Sequence, residues 1–584
     1  MHWKKESRQQ AQQIRIERKL VWREIARVAQ SHVKEVNLKS RLSNIGSAIV
    51  ALVFSALIVS GLLVPIYADE VSTKMTQATF FLNDGRMLTA IPQCLPELTM
   101  RIPVSWYPAA AVYQLTYSDL GPLMIRVSGV IFALLFVSVA ALGMRRVVPG
   151  NLPYWPLLAG FVAVLGLGVL PFSLVLSRSE QWFLLLLTYF VFFPLLDKKG
   201  GVFYSGLHAL VFVTCTSLLF YTHPKAAFFS PVVIVSGWIT FKGRRWLQIL
   251  TAGFAIVCLI QSVLAARELF NCENAPIIAA VFSKQTSSLS ALAVRPIGLL
   301  LELGGNLVSF PRMVIDHAVF QAAYQSFWLP SVPAGDALGG LVQLVNPLIA
   351  GCLLLVIALG LALPPVAFVF ARIRGSLGNV HFLTGTLWFS LVAHLAIYRT
   401  WNFYGGILVI GILILLIALS LGSIPWSKHW RKAGTGVLVS LCTVFLLSAL
   451  MLVTSVIPRL MSGGEARDFG VPGQPLSVPT FTYPAQREKI RRFASSCGLE
   501  GDRARRLVVD DLTYFAFDGL REPMHLVYIS ESGMGQDIKG GDLIGFLNRM
   551  ASPGVIAQCT FLPPAVRQYA MEDGNLCCVK LEVK

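Results

Sequence analysis

The sequence predicts an α-helical polytopic membrane protein of about eleven transmembrane helices, closed by a small C-terminal extracytoplasmic α/β domain. Three observations carry this. The mean hydropathy is +0.64 with only 14% charged residues over 584 residues. Apolar stretches long enough to cross a bilayer recur along most of the chain. The last hundred or so residues change character, with short strand-like and helix-like runs behind a Gly/Pro-rich stretch.

The first 44 residues read as a basic amphipathic cytoplasmic arm. Ile14, Val21, Ile25 and Val28 recur at helical spacing, and the first 40 residues hold ten Lys/Arg against four Glu. Such an arm suits the anionic inner leaflet. The first apolar span, 45–67, is too long for a signal h-region and has no convincing cleavage site, so it reads as a retained anchor. Further spans fall at 123–144, 154–176, 181–196, 202–221, 226–241, 246–266, 342–371, 380–398, 405–423 and 436–457.

Charge fixes the expected orientation. With the N-terminus inside, the inner loops hold Arg145, Arg146, Lys198, Lys199, Lys242, Arg244, Arg245, Arg372, Arg374, Lys428, Arg431 and Lys432. The short outer loops hold Arg178, Lys225 and Arg399, one each. Basic residues concentrate in cytoplasmic loops, so eleven spans satisfy this alternation at every loop. The net charge of +18 therefore reflects topology and not nucleic-acid binding: there is no zinc-finger spacing and no Walker loop.

Three large pieces then face outward. They are a first loop (69–122), a fourth loop (267–341) and the C-terminal segment, reached through a linker at 458–476, with the α/β domain over 477–584. RRLVVDD, HLVYIS and LCCVKLEV read as strands and DLIGFLNRM as a helix. Six cysteines lie on this side: Cys94, Cys272, Cys497, Cys559, Cys577 and Cys578. An oxidising compartment allows one or two disulfides among them, and spacing does not give the pairing. The other four cysteines lie in apolar spans as packing residues.

The ionisable residues gather at the outer membrane boundary. They are Asp69 and Glu70, Lys74, Arg101, Arg178 with Glu180, His223 with Lys225, and Arg399, with Tyr404 nearby. Several loops deliver polar groups to one side and one depth, which is how a site for a lipid headgroup is built. Transporters that couple to ions usually keep charged groups at the midplane, and few are present there. Each residue also has a plainer reading. Asp69 can cap an interfacial helix marked by Val71, Met75, Ala78 and Leu82, with Glu70 favouring its positive end. Arg178 and Glu180 can form an interfacial salt bridge. Lys225 can snorkel to headgroups and His223 can cap a helix. Trp401, Phe403 and Tyr404 fit an aromatic belt. Asp316-His317 in the fourth loop reads as structural. Asp510-Asp511 reads as a strand end entering an acidic turn more readily than as a metal site.

In order along the chain, Ala68-Asp69-Glu70 follows the first span, and RIPVSWYPAAAVYQL runs from Arg101 through Tyr107. GPLMIRVSGVIFALL holds Arg126, RSEQWFLLLLTYF starts at Arg178, THPKAAFFSPVV holds His223 and Lys225, and YRTWNFYGGILVI holds Arg399 and Tyr404. Taken as a series over about 45–420, these segments resemble the membrane-embedded GT-C glycosyltransferases, in the branch of protein O-mannosyltransferases and the lipid A aminoarabinose transferase. Arg101 stands where that branch has Lys, and Lys225 where it has Thr. The C-terminal domain has no counterpart there.

The resemblance implies an inverting glycosyltransferase that takes a sugar from a polyprenyl-phosphate donor. The acceptor would be an envelope glycan, lipid or protein on the outer face of the bacterial inner membrane. It implies Asp69 as general base with Glu70 beside it, and Arg178, His223, Lys225 and Arg399, with Lys74, as cations for the donor phosphate. Arg101, Tyr107, Glu180 and Tyr404 are expected to line the substrate site. The resemblance makes no cofactor certain and admits a divalent metal at Asp69, since some relatives use one and others do not. Two other classes share the compartment: a lipid-linked sugar flippase, and an envelope glycan polymerase or ligase.

Overall fold

The computed structural model describes residues 43–77, 84–88, 94, 99–117, 121–148, 152–196, 202–270, 272–289, 291–322, 324, 328–330, 337–399, 402–424, 428–462, 478–530 and 542–581. The basic arm before 43, most of the linker, Trp401 and the glycine-rich run after Ser530 lie outside them.

The chain opens with α1 (Ser43–Leu63), the short α2 (Ala68–Gln77), a two-stranded ribbon of β1 (Arg86–Leu88) and β2 (Thr99–Arg101), and α3 (Tyr107–Tyr117). Then come α4 (Pro122–Val147), α5 (Tyr154–Leu165), α6 (Leu170–Leu174), α7 (Ser179–Phe192), α8 (Val202–Thr222), α9 (Ala226–Thr240) and α10 (Arg245–Phe270). The segment expected as the fourth outer loop folds as α11 (Pro276–Gln285), α12 (Ala291–Val294) and α13 (Pro296–Ala318). The bundle ends with α14 (Ala337–Ile373), α15 (Asn379–Ile397), α16 (Gly405–Leu421), α17 (Lys428–Met451) and α18 (Ile457–Met461).

Among the described residues seven helices are long and apolar enough to cross a membrane, and four shorter apolar helices (154–165, 179–195, 226–240 and 405–421) accompany them. Burial explains the short ones. In α16 every residue but Ile417 is buried, and in α7 every residue but Leu185 and Tyr189. A helix apolar all round belongs in the centre of a bundle. The long α4, α10 and α14 carry the lipid-exposed faces, with Leu142, Ile249 and Leu354 among the exposed apolar side chains.

The expected span at 154–176 is broken into α5 and α6. Gly168 has φ +54°, and a Cβ there would lie 1.8 Å from the Ala318 carbonyl oxygen. Val169 N–H donates to that oxygen at 2.9 Å, and Gly168 N–H to Ser448 Oγ at 2.6 Å. The break therefore accepts the end of α13 against the bundle, in a backbone conformation only glycine adopts freely.

The C-terminal domain begins with α19 (Tyr483–Ser496), followed by β3 (Val508–Val509), α20 (Asp511–Tyr514), β4 (Met524–His525), α21 (Leu526–Ile529), α22 (Leu543–Arg549) and β5 (Gly554–Gln558). It closes with β6 (Met571–Asp573) and β7 (Leu576–Lys580). Its five-stranded sheet has the order β4-β3-β5-β7-β6, with β3 parallel to β4 and β5, and β7 antiparallel to β5 and β6. HLVYIS is not the strand its composition suggests. Only His525 pairs in the sheet, and the His525 ring accepts from Val527 N–H at 3.3 Å, turning the chain into α21.

The six cysteines expected on the outer side all pair: Cys94–Cys272, Cys497–Cys578 and Cys559–Cys577. This exceeds the one or two bridges expected. Cys94–Cys272 ties the 69–122 loop to the 267–341 loop. The four remaining cysteines, Cys215, Cys258, Cys352 and Cys442, are unpaired in helices of the bundle.

Candidate active site

The site is assembled where the N-terminal ends of α2, α7, α9 and α16 meet. Each end exposes backbone N–H groups and a partial positive charge, so a cluster of them favours anions. Arg178 is the residue before α7, Lys225 the residue before α9 and Tyr404 the residue before α16.

Arg178 links the parts. Its Nη2 is 3.7 Å from Asp69 Oδ2 and its Nε 3.7 Å from Glu180 Oε2. Its Nη1 donates to the Asp69 carbonyl and to Thr73 Oγ1, the latter at 2.8 Å. The guanidinium lies 4.4 Å over the Tyr404 ring, and Tyr404 OH donates to Asp69 Oδ2 at 2.6 Å. Glu180, buried, gathers the other cations: Lys225 Nζ and His223 Nε2 each approach Oε1 at 3.4 Å. His223 Nδ1 accepts from Lys225 N–H at 3.0 Å, and burial together with the neighbouring Lys225 charge lowers its basicity. Asp69, Arg178, Glu180, His223, Lys225 and Tyr404 are therefore one connected cluster.

The two adjacent acids have separate jobs. Asp69 keeps 30% of its side chain exposed, and its contacts among the described residues fall on Oδ2. Glu70 is wholly buried. Its Oε2 accepts from Tyr67 N–H at 2.9 Å, the reach-back contact of a capping box, so Glu70 and not Asp69 caps α2. Its Oε1 accepts from Ser177 N–H at 2.5 Å. Arg126 Nη1 and Nη2 then donate to the two carboxylate oxygens at 3.1 and 2.8 Å. With both oxygens occupied and the side chain wholly buried, Glu70 holds the frame.

Arg126, noted in the sequence only as part of GPLMIRVSGVIFALL, has a part here that the sequence did not reveal. All five of its N–H donors are used: besides Glu70 they reach Val64 O at 3.0 Å, Pro65 O at 2.6 Å and Val175 O at 2.8 Å. It thus joins the end of α1, the start of α2 and the approach to α7. Gly129, one turn along α4, permits this, because a Cβ there would lie 2.0 Å from Val175 O. The available signal was an arginine at the head of a long apolar span. Lys74 is nearly buried too and donates to Ser177 Oγ at 2.9 Å. Burial holds its ammonium well below the ordinary lysine value, against the opposing pull of Glu70.

Other expected site residues stand apart. Arg399 pairs with Glu302 on α13, its Nε at 2.9 Å, and no contact among the described residues joins it to Arg178 or Glu180. Arg101 is an exposed residue of β2, opposite Arg86, and Tyr107 is 47% exposed at the start of α3. Phe403 and Tyr404 are buried and form no belt: Phe403 stacks on Trp328 at 4.5 Å and meets Tyr67 edge-on at 5.2 Å. Asp316 pairs with Arg312 one turn back, as a surface contact. His394 is packed among Phe228, Phe229 and Tyr398.

The donor set around Asp69 does not fit a metal held by protein ligands. Among the described residues Asp69 belongs to no group of three or more His, Cys, Asp or Glu ligand atoms, and a guanidinium already sits beside its carboxylate. The grouping of Cys559, Glu572 and Cys577 contains a disulfide, so its sulfurs are not free to ligate.

No protein-family model matches the chain, and no curated protein matches it. Among solved structures it is similar to ArnT from Cupriavidus metallidurans bound to undecaprenyl phosphate, at 11% identity and a TM-score of 0.44, with 92% of this chain and 97% of that one covered. It is also similar to the Archaeoglobus fulgidus oligosaccharyltransferase tethered with an acceptor peptide, at 10% identity and a TM-score of 0.37, covering 87% and 69%. The apo form of that enzyme gives 10% identity, a TM-score of 0.40, and 88% and 69% coverage.

Proposed function

We propose that the protein is an inverting glycosyltransferase of the GT-C type, moving a sugar from a polyprenyl-phosphate donor to an envelope glycan, lipid or protein. The site faces the outer side of the bacterial inner membrane. The observation that carries this reading is Arg178, held between a part-exposed carboxylate, Asp69, and a buried one, Glu180, where four helix N-termini meet. The ordered sequence resemblance over 45–420 agrees with it.

The chemistry follows from the placement. Asp69 accepts the proton of an acceptor hydroxyl as that oxygen bonds to the anomeric carbon. The bond from that carbon to the phosphate oxygen breaks on the opposite face, and its electron pair stays on the departing phosphate. Arg178 and Lys225, with the helix N-termini, stabilise the charge that develops there. Glu180 holds these cations in place while the site is empty. Its negative charge also offsets the mutual repulsion of the three basic groups Arg178, His223 and Lys225. The polyprenyl tail stays among the apolar helices, and the headgroup sits at the boundary. Arg126 and Glu70 hold the frame on which Asp69 stands.

Purified wild type and Asp69→Asn in nanodiscs, given polyprenyl-phosphate monosaccharides and envelope acceptors, test this. Transfer by wild type that collapses in Asp69→Asn, with donor binding retained, is the expected result. Equal transfer by both removes Asp69 from the chemistry. Movement of lipid-linked sugar across the bilayer without transfer would show a flippase instead.

A further inference from the structure

The C-terminal domain is not an appendage to the bundle. Ile66, just before α2, exchanges both backbone hydrogen bonds with Val478, each at 2.8 Å, and Thr480 Oγ1 donates to Leu62 O at 3.0 Å. Val71 and Met75 of α2 are buried in the same apolar cluster as Tyr483, Leu526 and Ile556 of the domain. α2 is thereby enclosed. Asp69 and Thr73 face Arg178, Lys74 faces Ser177, and the apolar positions between them enter the domain's core.

One polar contact crosses this junction beside the reactive end of the helix. Ser72, three residues after Asp69 and so on a neighbouring part of its face, meets Tyr528 OH at 3.5 Å. The Tyr528 ring lies 5.5 Å from the His525 ring. His525 is buried, and its Nε2 is 2.8 Å from Asp511 Oδ1. Asp511 opens α20, which packs on α2. The neighbouring Asp510 is engaged elsewhere, capping α20 through Thr513 N–H and accepting from Gln558 N–H, each at 2.8 Å.

We propose that Asp511, His525 and Tyr528 are positioning residues of the transfer site, through which the extracytoplasmic domain sets the placement of α2 and hence of Asp69. The inference rests on the reading of Asp69 as the base. The chain of contact runs from carboxylate to imidazole, from imidazole ring to phenol ring, and from phenol to Ser72. The groups facing the imidazole fit this role. Burial opposes its charge, yet Asp511, Asp510 and the more distant Asp69 together raise its affinity for a proton. The same Asp69 field, added to burial, pushes the Tyr528 phenol up to about 12, so it stays a hydrogen-bonding hydroxyl. The imidazole and the base are thus electrostatically linked across the domain junction.

The test uses the full chain in nanodiscs as Tyr528→Phe, His525→Gln and Asp511→Asn, with Arg567→Gln on the domain's far surface as control. Two readouts are taken: transfer kinetics against pH, and hydrogen exchange of the α2 amides. The first three variants are expected to lose about tenfold in kcat, to keep donor KM within about twofold, and to exchange faster across 68–77. The pH–rate profile should move in His525→Gln and Asp511→Asn but not in Tyr528→Phe. The control should match wild type in both. Wild-type kcat in Tyr528→Phe, which removes one oxygen and leaves the domain's packing intact, overturns the inference. So does unchanged α2 exchange in all three. If wild type transfers nothing from any donor, the transferase reading fails, and the exchange comparison still decides whether these residues hold α2.

Discussion

Tyr404 donates its hydroxyl proton to Asp69 Oδ2 at 2.6 Å while its ring carries the Arg178 guanidinium at 4.4 Å. One side chain thus orients Asp69, the proposed base, and seats the Arg178 guanidinium. The two roles separate by substitution. Tyr404→Phe keeps the ring under Arg178 and removes the hydrogen bond to a charged group, a loss of about 1.5–3 kcal/mol. It should lower kcat by about ten- to a hundredfold with donor KM little changed. Steady-state transfer kinetics check this, and an effect confined to donor KM would contradict it.

On the proposed mechanism Arg178 serves the leaving phosphate, and its substitution should behave differently. Arg178→Met removes the charge and keeps much of the stem packing. Removing one preorganised stabiliser of a developing charge costs on the order of 10²–10³ in rate. Because Arg178 also holds Asp69 through its carbonyl and Thr73, donor affinity should weaken as well. Binding of a polyprenyl phosphate without sugar, measured by titration, isolates that second effect. Unchanged phosphate-lipid affinity would remove Arg178 from the donor site.

The Arg126–Glu70 pair predicts an effect on stability rather than chemistry. Both side chains are fully buried and fully hydrogen-bonded. Removing one partner leaves an uncompensated buried charge, which costs about 3–5 kcal/mol. Glu70→Gln and Arg126→Met should each lower the melting temperature in detergent markedly, and the double variant should lose less than the two losses added together. Additive losses in that cycle would mean the pair is not coupled.

Much of this arrangement was legible in the sequence, and the exceptions have physical causes. The helices of the bundle follow the apolar runs, because length and hydropathy alone demand them. The group at Asp69, Arg178, Glu180, His223, Lys225 and Tyr404 was visible because topology put those residues at one depth. Which acid caps α2 was not, since adjacent residues on a helix point about 100° apart and their burial depends on Arg126, far along the chain. The Arg399–Glu302 pair was not legible for a similar reason: Glu302 sits on α13, in a loop whose packing no periodicity reveals. The Asp511–His525 contact depends on a sheet order that brings β3 beside β4.

The cysteines give a test of sidedness. Six cysteines assigned to the outer side form three pairs, and the four in the helices stay free. Peptide mapping of protein alkylated under denaturing, non-reducing conditions should recover those three pairs and label Cys215, Cys258, Cys352 and Cys442. A label on Cys94 or Cys272 would separate the first outer loop from the fourth.

His525 also predicts how the C-terminal domain responds to pH. Its native proton affinity is raised above the unfolded value of about 6.5 because Asp511, Asp510 and Asp69 outweigh burial. A raised histidine binds its proton more tightly in the folded state, so its stabilising contribution is fully present below pH ~6.5 and is lost as pH rises through the native value. The melting temperature of the wild type should therefore fall over that window, relative to His525→Gln, which keeps a polar side chain but cannot titrate. Melting curves of the two proteins at matched ionic strength from pH ~5.5 to ~8.5 check this. The difference between them should shrink as pH rises, and a difference that grows would reverse the sign and place the neutral imidazole as the form the fold prefers.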